Sequence, residues 1–277
     1  LNGLLAEGGA AASSQKSLII RCRTRTGEWR HLETVATALL TDPVIHGIVL
    51  NTRDVSERME LQAQLSHQAY HDSLTQLANR AWFHGQVERA LEHAHQSPEH
   101  IAIFFLDLDN FKNVNDSLGH AAGDHILVEV ARRLLNATRG SDTVARFGGD
   151  EFAVLVDRVT GEADLIIIAD RITSAMRAPF LLPTGEIFSS VSVGIARGSG
   201  GQTVDDLLRD ADVAMYVSKR RGKGGYTIFE PRMHAQARER LGLEIDLRHA
   251  LLRGELRLFF QPIVSLVDDR LLGVETL

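Results

Sequence analysis

Two aspartates directly follow a solid apolar run in the stretch IAIFFLDLD, residues 101–109. If that run is a buried strand, Asp107 lies at its carboxyl end, the edge at which α/β sheets bind ligands. Asp109 would share the same face if the strand continued, since side chains alternate with a period of two. Aspartate is also common as the cap of a turn after a strand. The residues alone leave ligand binding and capping equally open.

An amide and a carboxylate flank the segment NDSLGHAAGD, residues 115–124. Together, Asn115 and Asp124 could donate and accept hydrogen bonds along the edge of a nucleotide base. Gly123 and Asp124 are also predicted to open a helix, where aspartate is a natural N-cap or first-turn residue. By residue chemistry alone, the capping role is favoured over base recognition.

A glycine pair followed by two acids interrupts a β-prone run in RFGGDEFAVLV, residues 146–156. Gly148 and Gly149 predict a two-residue hairpin loop in which both positions adopt positive φ. The turn does not explain Asp150 and Glu151, which would point to opposite strand faces. With Asp107 on another strand end, these carboxylates could hold a hard cation such as Mg²⁺. Glycines also let a bulky ligand approach the backbone, so a nucleotide-phosphate site is favoured over a plain turn.

Two lysines, Lys219 and Lys223, lie four residues apart in YVSKRRGKGG. At this spacing they would share one side of a helix end. Basic residues there complement the helix dipole, and Gly222 or Gly224 would end the helix, so a solvated C-terminus explains them too. The alternative is that both ammonium groups neutralise phosphates opposite the acids, which would favour phosphoryl transfer.

The scaffold that must position these residues alternates strands with helices from about residue 73 onward. A mixed central β-sheet flanked by helices, of the α+β or α/β class, is therefore predicted. The predicted helices cover residues 79–95, 123–135, 161–177 and 204–219, and the predicted strands cover 101–109, the two arms of a hairpin at 143–156, 188–196 and 226–229.

Weaker patterns precede and follow this unit. Three β-prone runs at 17–25, 28–40 and 47–55 predict an antiparallel meander that is too small to be a stable domain alone. A connecting helix is predicted from Ser56. After Pro231 the sequence predicts a long amphipathic helix, and the strand-like run LRLFFQPIV then begins a further unit.

Composition narrows the class of protein. The chain of 277 residues has a formal net charge of −6 and no basic stripe, which argues against a nucleic-acid partner. Its single cysteine, Cys22, excludes an intrachain disulfide and fits a reducing, cytoplasmic compartment. No apolar run reaches the roughly 18 residues that span a bilayer, although other regions could tether the protein to a membrane. The sequence starts without Met and stops inside a strand-like run, so we expect a piece of a longer protein.

Four motifs occur in order over residues 71–230: DSLTQLANR, FLDLDNFKNVNDSLGHAAGD, RFGGDEF and DADVAMYVSKRRGKG. In these motifs the chain resembles the GGDEF-type diguanylate cyclases of bacteria. The stretch RTGEWRHLETVATALLTDPVIHGIVLNTRDVSER resembles the second half of an α+β PAS sensor domain, and FFQPIVSL to LLGVETL resembles the start of an EAL phosphodiesterase domain, a TIM-like barrel. The resemblance implies a partial PAS domain at 1–56, a signalling helix at 57–70, the GGDEF domain at 71–231, and a linker helix with a truncated EAL domain at 232–277.

The resemblance also implies an enzyme that condenses two GTP molecules into cyclic di-GMP and releases two pyrophosphates. Asp107, the Leu108 carbonyl, Asp150 and Glu151 would hold Mg²⁺ or Mn²⁺ on the triphosphate. Asp150, Glu151 and Lys219 would be the catalytic groups, with Asp150 helping to deprotonate the attacking 3′-hydroxyl. Each domain would hold one GTP, so the active form would be a homodimer.

By the same resemblance, the residues that contact GTP are Phe111, Lys112, Asn115, Asp124, Gly148, Gly149, Lys219 and Lys223. Asn115 and Asp124 would read guanine, the two lysines would bind the β- and γ-phosphates, and amides near Phe111 and Lys112 would assist. Lys223 stands where an arginine is commoner, which keeps the charge but loses the bidentate fork.

Regulation is implied as well. Arg139 and Asp142 form an RxxD pattern that would bind cyclic di-GMP as an inhibitor, with Arg171 as a third contact; taken alone, such a pattern is usually a surface ion pair. Gln261 and Glu275 match early substrate and metal positions of an EAL domain, whose other acids lie beyond this sequence. The alternative function is a regulatory GTP-binding domain that activates an EAL domain without turnover, but intact acids favour turnover.

Overall fold

The computed structural model describes residues 15–40, 42–94, 100–183, 185–198, 201–255 and 257–276. The chain divides into two compact units, of which the first ends at Ser73 and the second begins at Leu74. None of the described helices is long and apolar enough to cross a membrane.

The first unit is a small antiparallel sheet followed by one helix. Its elements are β1 (Gln15–Arg23), β2 (Trp29–Leu39), β3 (Gly47–Asp54) and α1 (Ser56–Tyr70), and the strands pair in the order β1-β2-β3. The predicted meander and connecting helix are therefore present. Leu18, Ile19 and Ile20 are all more than a third exposed. Because consecutive strand residues point to opposite faces, neither face of β1 is buried.

The second unit contains the central sheet. In chain order its elements are β4 (Ala78–Asn79), α2 (Arg80–Ala94), β5 (His100–Leu108), α3 (Phe111–Leu118), α4 (His120–Ala137), β6 (Thr143–Gly148), β7 (Glu151–Val159), α5 (Glu162–Arg177), β8 (Phe180–Leu182), β9 (Gly185–Ile187), β10 (Val191–Gly198), α6 (Val204–Arg220), β11 (Tyr226–Ile228), α7 (Arg232–Leu252), β12 (Phe260–Val264) and β13 (Leu271–Thr276). Six strands form one sheet in the order β11-β10-β5-β7-β6-β4. Strand β5 is antiparallel to both neighbours, whereas the outer pairs β10–β11 and β4–β6 are parallel. The predicted mixed sheet with flanking helices is confirmed.

Strand β5 is central because both of its faces are apolar. Ala102, Phe104 and Leu106 pack in the layer that contains α4 and α5, while Ile101 and Ile103 pack in the layer that contains α2 and α6. A strand covered on both faces requires a continuous apolar run rather than an alternating one. The two helix layers thereby fix β5 and hold its carboxyl end at the edge of the sheet.

The C-terminal elements of the second unit are largely exposed. Helix α7 forms where it was predicted, but it is not amphipathic: Leu243 and Leu252 are nine residues, and so about 180° around the helix, apart, and both are more than half exposed. Among its described side chains only Met233, in the first turn, is fully buried. Strands β12 and β13 form an antiparallel hairpin whose residues are also mostly exposed.

Candidate functional site

Three acidic residues meet where β5 and β7 lie side by side at the sheet edge. In the antiparallel register Asp107 is directly opposite Glu151, the first residue of β7. The N–H of Leu108 donates to the carbonyl oxygen of Asp150 over 3.3 Å, which holds the hairpin against the end of β5. Cross-strand partners have Cβ atoms about 4.5–5.5 Å apart, and like charges at that separation repel. The sheet therefore concentrates negative charge at this edge.

The hairpin between β6 and β7 turns through Gly149 and Asp150. Gly148 pairs with Glu151, so the two-residue loop lies one position later than the predicted Gly148–Gly149 loop. Both glycines do adopt positive φ, at 137° and 52°. A register irregularity between Arg146 and Gly148 takes up the extra residue. Asp150 thus lies in the turn itself, and only Glu151 belongs to the strand.

Lys219 brings a positive charge into this acidic edge. Its Nζ lies 2.7 Å from Oδ2 of Asp107. Helix α6 delivers the lysine: it starts at a capping box, in which Thr203 Oγ1 accepts from the N–H of Asp206, and it packs Leu207 fully into the core. Lys219 lies in the last turn, where a cation also complements the helix dipole.

The acids perturb one another. Burial raises the pKa of the Asp107 carboxyl, an effect that the hydrogen bond from Lys219 opposes and the charge of Asp150 increases. Burial also raises the pKa of Glu151, and the negative charges of Asp107, Asp212 and Asp150 raise it further. Desolvated carboxyl groups with like charges as neighbours are typical of functional sites.

The same oxygen atoms are the ligands that a hard divalent cation prefers. Among the residues that the structure describes, no group of at least three His, Cys, Asp or Glu side chains forms a metal site by itself. Mg²⁺ does not need such a cage, because it is usually held by one or two carboxylates, water and substrate phosphates. The opposed pair Asp107 and Glu151, in which the first charge raises the pKa of the second, fits a cation that would cancel this repulsion.

Asn115 is held against the start of α4. An ideal Cβ on Gly123 would lie 2.0 Å from Asn115 Oδ1, so only glycine leaves room for this amide. Asn115 Oδ1 is buried and has no hydrogen-bond partner; the hydroxyl of Thr227 is the other such side-chain atom in the described part of the chain. A buried acceptor without a donor costs free energy, and a donor from a ligand would remove that cost.

Asp124 does not cap α4, contrary to the interpretation that residue chemistry favoured. The helix begins at His120, with Gly119 as its N-cap residue, and has no acid in its first turn. Gly119 adopts φ 83° and separates α3 from α4 within one residue. Asp124 therefore lies in the second turn, exposed and adjacent to Gly123, and remains available to a ligand.

Lys223 does not continue α6. The helix ends three residues earlier, and Lys223 lies in the following loop with φ 62°, so the predicted common helical side with Lys219 is wrong. Its Nζ donates to Asn110 Oδ1 over 2.8 Å. This contact joins residues far apart in sequence, which local spacing does not predict.

Phe111 and Lys112 form the start of α3. The preceding residue, Asn110, makes no side-chain capping bond to this helix, because its amide oxygen accepts from Lys223 instead. The first N–H groups of a helix have no intrahelical acceptor and carry partial positive charge. The amides of Phe111 and Lys112 are thus left for other acceptors, such as phosphate oxygens.

Asp109 does not join Asp107 on a shared face. Strand β5 ends at Leu108, and the Asp109 carboxylate is 4% exposed and accepts from Ser190, Ser192 and the backbone N–H of Gly224. These bonds reach over 80 residues along the chain, so they are not the local turn cap that was the alternative either. No local signal could have found these partners.

Residues 69–225 match the family of diguanylate cyclase GGDEF domains. The chain belongs to the GGDEF family. The matched residues include the acidic edge, both lysines, Asn115 and the buried Asp109.

Several GGDEF proteins are similar to this chain. The bifunctional diguanylate cyclase/cyclic di-GMP phosphodiesterase MucR of Pseudomonas aeruginosa is 41% identical over 77% of this chain and 31% of its own length. The diguanylate cyclase TpbB of the same species is 47% identical over 64% of this chain and 42% of its own. The chain thus spans less than half the length of either relative.

Two solved GGDEF structures agree with the fold. The GGDEF domain of TpbB is 44% identical, with a TM-score of 0.59, over 61% of this chain and 99% of that one. The coiled coil and GGDEF domain of DgcB from Caulobacter crescentus, in complex with c-di-GMP, is 30% identical, with a TM-score of 0.59, over 63% of this chain and 93% of that one.

Asp212 is a residue near the GGDEF acids that the sequence analysis missed. It lies seven residues before Lys219 on α6, two turns away on the same helix side. Burial raises the pKa of Asp212, whereas Lys219 lowers it, and the charge of Asp212 raises the pKa of Glu151. The helical spacing to Lys219 is the signal that could have found it.

Arg139 and Asp142 of the GGDEF domain form a tight turn after α4. The N–H of Arg139 donates to Asp142 Oδ2 over 2.8 Å, and the N–H of Asp142 donates to the carbonyl of Arg139 over 2.9 Å. Hydrogen bonds from Thr160 and, to a lesser degree, the charge of Arg139 hold the pKa of Asp164 in α5 below its usual value. Arg171, the third residue of the predicted product site, is exposed on α5, nine residues after the first residue of that helix.

Gln261 and Glu275 lie opposite each other outside the matched GGDEF region. They are register partners in the β12–β13 hairpin, and both are exposed. The structure thus brings these two predicted residues together.

Proposed function

We propose that the GGDEF domain of this chain is a diguanylate cyclase that condenses two GTP molecules into cyclic di-GMP with release of two pyrophosphates. The observation that carries the proposal is the edge formed by Asp107, Glu151 and Lys219, which combines cation ligands with a phosphate-binding ammonium. Membership of the family, with TpbB as a relative named a diguanylate cyclase, supports the same reaction.

A divalent cation, Mg²⁺ or Mn²⁺, belongs to this proposal. Asp107, the Leu108 carbonyl, Asp150 and Glu151 would hold it. When bound, it would neutralise triphosphate charge and polarise the phosphoryl group that is attacked. The raised pKa of Glu151 beside Asp107 supports this assignment, since two adjacent desolvated carboxylates favour a cation between them.

The triphosphate would be bound by positive charge and backbone donors. Lys219 and Lys223 would contact the β- and γ-phosphates, and the uncapped amides of Phe111 and Lys112 would add hydrogen bonds at the start of α3. Gly148 and Gly149, both exposed and without side chains, would let the ligand lie close to the hairpin.

Guanine recognition is assigned to Asn115 and Asp124. The unpaired acceptor Asn115 Oδ1 would take a hydrogen bond from guanine, and the exposed Asp124 carboxylate would accept from the ring N–H or the exocyclic amine. Adenine presents no N–H donor at the corresponding ring position, so this pair would favour GTP over ATP.

The condensation requires two copies of the domain facing each other. The 3′-oxygen of one GTP attacks the α-phosphorus of the other, the bond to the β-phosphate oxygen breaks, and pyrophosphate leaves; the reciprocal attack closes the ring. We assign removal of the 3′-hydroxyl proton to Asp150, with Glu151 beside it, and stabilisation of phosphate charge to Lys219. Each domain contributes one GTP, so the active form is a homodimer.

Product inhibition at Arg139, Asp142 and Arg171 is part of the proposal. The two arginines would each offer a fork of donors to a guanine or phosphate of cyclic di-GMP, and Asp142 would accept from a guanine. The turn that holds Arg139 beside Asp142 and the c-di-GMP complex of the related DgcB domain support this site.

We also propose a multidomain context: a partial PAS domain at 1–56, a signalling helix at 57–70, and an EAL domain that starts within 232–277. The opposed pair Gln261 and Glu275 supports the EAL assignment. A cytoplasmic location of the catalytic part follows from the use of GTP.

A second candidate function is a regulatory GTP-binding domain that activates an EAL phosphodiesterase without turnover. The specific observation that favours it is that two further relatives, NbdA of Pseudomonas aeruginosa (37% identical over 78% of this chain) and PdeR of Escherichia coli (36% over 79%), are named cyclic di-GMP phosphodiesterases. In that case Asp107 and Glu151 would still bind the nucleotide, but no product would form.

One experiment separates the two functions. Incubation of the chain with GTP and MgCl₂ should give cyclic di-GMP, detected by liquid chromatography, at a rate per protein that rises with protein concentration because dimers must form. Asp150→Asn should abolish product and leave the fold intact. GTP binding without product, even at high protein concentration, would rule out the cyclase and leave the regulatory role.

A further inference from the structure

Asp109 is the best-satisfied carboxylate near the candidate site. Its Oδ1 accepts from Ser192 Oγ over 2.7 Å, and its Oδ2 accepts from Ser190 Oγ over 2.6 Å and from the N–H of Gly224 over 2.9 Å. Its own N–H donates to the Ser190 carbonyl over 2.9 Å, and its carbonyl accepts from Ser189 Oγ over 3.1 Å. One buried residue therefore joins the end of β5 to the start of β10 and to the loop after α6.

The bond to Gly224 fixes a loop that carries a phosphate-binding candidate. Lys223 immediately precedes Gly224, and both adopt left-handed φ, 62° and 65°. On the other side, the Gly225 carbonyl accepts from Ser218 Oγ over 2.8 Å and from the N–H of Val193 over 2.9 Å. The backbone beside Lys223 is thus anchored by the side chains of Asp109 and Ser218 and by the backbone of Val193.

Hydrogen bonds hold this loop beside an open groove. Asp109, Asn110 and Ser190 line an open groove of about 580 Å³. Next to this groove, Lys223 Nζ reaches Asn110 Oδ1, the residue that follows Asp109. Asp109 therefore affects both contacts that position the Lys223 ammonium. Its carboxylate accepts from the Gly224 N–H, and the next residue, Asn110, accepts from Lys223 Nζ.

We propose that Asp109 is a positioning residue for phosphate binding: it anchors Gly224 so that Lys223 presents its ammonium to the triphosphate. A loop that carries a phosphate-binding lysine would lose backbone entropy if it became ordered only on binding. A pre-anchored backbone lowers that loss, which is the benefit of preorganisation. The inference rests on the proposed function, because it assigns a role to Lys223 within the same nucleotide site.

The first arm of the test needs no nucleotide. Hydrogen exchange of the Gly224 amide, measured by NMR on the full chain, should be slow in the wild type, because the N–H is bonded to a buried carboxylate. Asp109→Ala should speed this exchange at least tenfold more than it speeds exchange in β5 and β7, which report global stability. Equal acceleration everywhere would show that Asp109 only stabilises the fold.

The second arm measures phosphate binding. Affinities for 3′-deoxy-GTP, which lacks the attacking hydroxyl, and for GMP are compared by calorimetry with Mg²⁺ present. The ratio of the two affinities reports the contacts to the β- and γ-phosphates. Asp109→Ala should lower the ratio about tenfold, and Asp109→Asn, which keeps the shape but not the charge-assisted bond, should lower it about threefold.

Ser192→Ala is the matched control, because it removes a hydrogen bond to the same buried carboxylate but leaves the Gly224 anchor in place. It should reduce stability without changing the affinity ratio or the relative exchange of Gly224. If Asp109→Ala does not fold, the comparison of Asp109→Asn with Ser192→Ala decides the matter. Identical ratios in those two variants would overturn the proposal.

A double-mutant cycle with Lys223→Ala sharpens the result. If Asp109 acts through Lys223, its substitution should cost almost no further phosphate affinity once Lys223 is removed. Additive losses would contradict the positioning role. A wild type that binds neither nucleotide would instead refute the proposed function, while the exchange data would still report on the anchor.

Discussion

Asp107 and Asp109 are two residues apart in one tetrapeptide, yet their surroundings are opposite. Asp109 is 4% exposed, and hydrogen-bond donors from two serines and one glycine satisfy its carboxylate. Asp107 has an ion pair with Lys219 but faces Glu151 across the sheet, and Asp150 is close by. The fold supplies the Asp109 carboxylate with three hydrogen-bond donors. The Asp107 carboxylate has one cationic partner and two negatively charged neighbours.

The difference separates a carboxylate that is satisfied within the fold from one that is a candidate for ligand binding. A buried carboxylate that is fully hydrogen-bonded lowers the free energy of the folded chain and needs nothing further. A desolvated carboxylate beside like charges raises that free energy until a cation or a phosphate-bound metal arrives. Asn115 Oδ1, an amide oxygen that is buried without a partner, also has a desolvation cost that a ligand would offset.

The largest expected effect is on catalysis, and it tests the proposed role of Asp107. Asp107→Asn should reduce cyclic di-GMP formation by about a thousandfold, as is typical when charge stabilisation of a transition state is removed. Circular dichroism should show an unchanged fold. Asp157→Asn, an exposed aspartate on the same strand as Glu151, is the control and should retain full turnover. Retained turnover in Asp107→Asn would remove this aspartate from the proposed cation site.

The second largest effect is on the stability of the fold, and it tests the role of Asp109. Asp109→Ala should lower the free energy of unfolding by about 3 kcal/mol, because it leaves three donors, one buried and two half-buried, without an acceptor. Urea denaturation followed by circular dichroism measures this change. The exposed Asp116 provides the control, since Asp116→Ala should stay within about 0.5 kcal/mol of the wild type. If the free energy of unfolding changed by a similarly small amount in Asp109→Ala and Asp116→Ala, the hydrogen bonds of Asp109 would not make it a structural residue, and its contrast with Asp107 would be lost.

A smaller effect is expected at the unpaired amide. Gly123→Ala would place a methyl group 2.0 Å from Asn115 Oδ1 and so displace the proposed guanine contact. The preference for GTP over ATP, measured as relative binding affinity, should fall about tenfold, in line with the loss of one buried hydrogen bond. Gly242→Ala in α7, where the added Cβ meets nothing within 4 Å, should leave the preference unchanged.

The smallest effect is a dependence of stability on pH. The pKa of Glu151 is raised in the folded protein, so the folded state binds this proton more tightly than the unfolded state does. The resulting penalty is absent below the ordinary glutamate pKa and fully present above the raised one. Without divalent cations, Glu151→Gln should therefore be more stable than the wild type at pH 7.5 but not at pH 4.

Solvent screening limits this gain to the order of 0.5 kcal/mol, because Glu151 is only half-buried. Thermal unfolding at the two pH values measures it. A wild type that is more stable than Glu151→Gln at pH 7.5 would show that Lys219 more than offsets the repulsion at this edge.

Local patterns predicted the elements well and their long-range bonds poorly. The continuous apolar run of β5 and the periodic runs of α2, α5 and α6 placed these elements within a few residues of their observed bounds, because burial dictates hydrophobic period. The start of α4 was wrong because a single glycine, Gly119, separates two helices and leaves almost no signal. Helix α7 was predicted to be amphipathic, but its leucines are exposed on more than one side.

The sequence by itself determined the mixed sheet, the family and the candidate acids, since these depend on residue type and order. Only the tertiary structure decided which acid is satisfied within the fold and which is not. It ended β5 at Leu108, turned Asp109 toward serines over 80 residues away, and left Asp107 opposite Glu151. The physical reason is that a carboxylate's role depends on the donors and charges around it, and the folded backbone brings those together from distant parts of the chain.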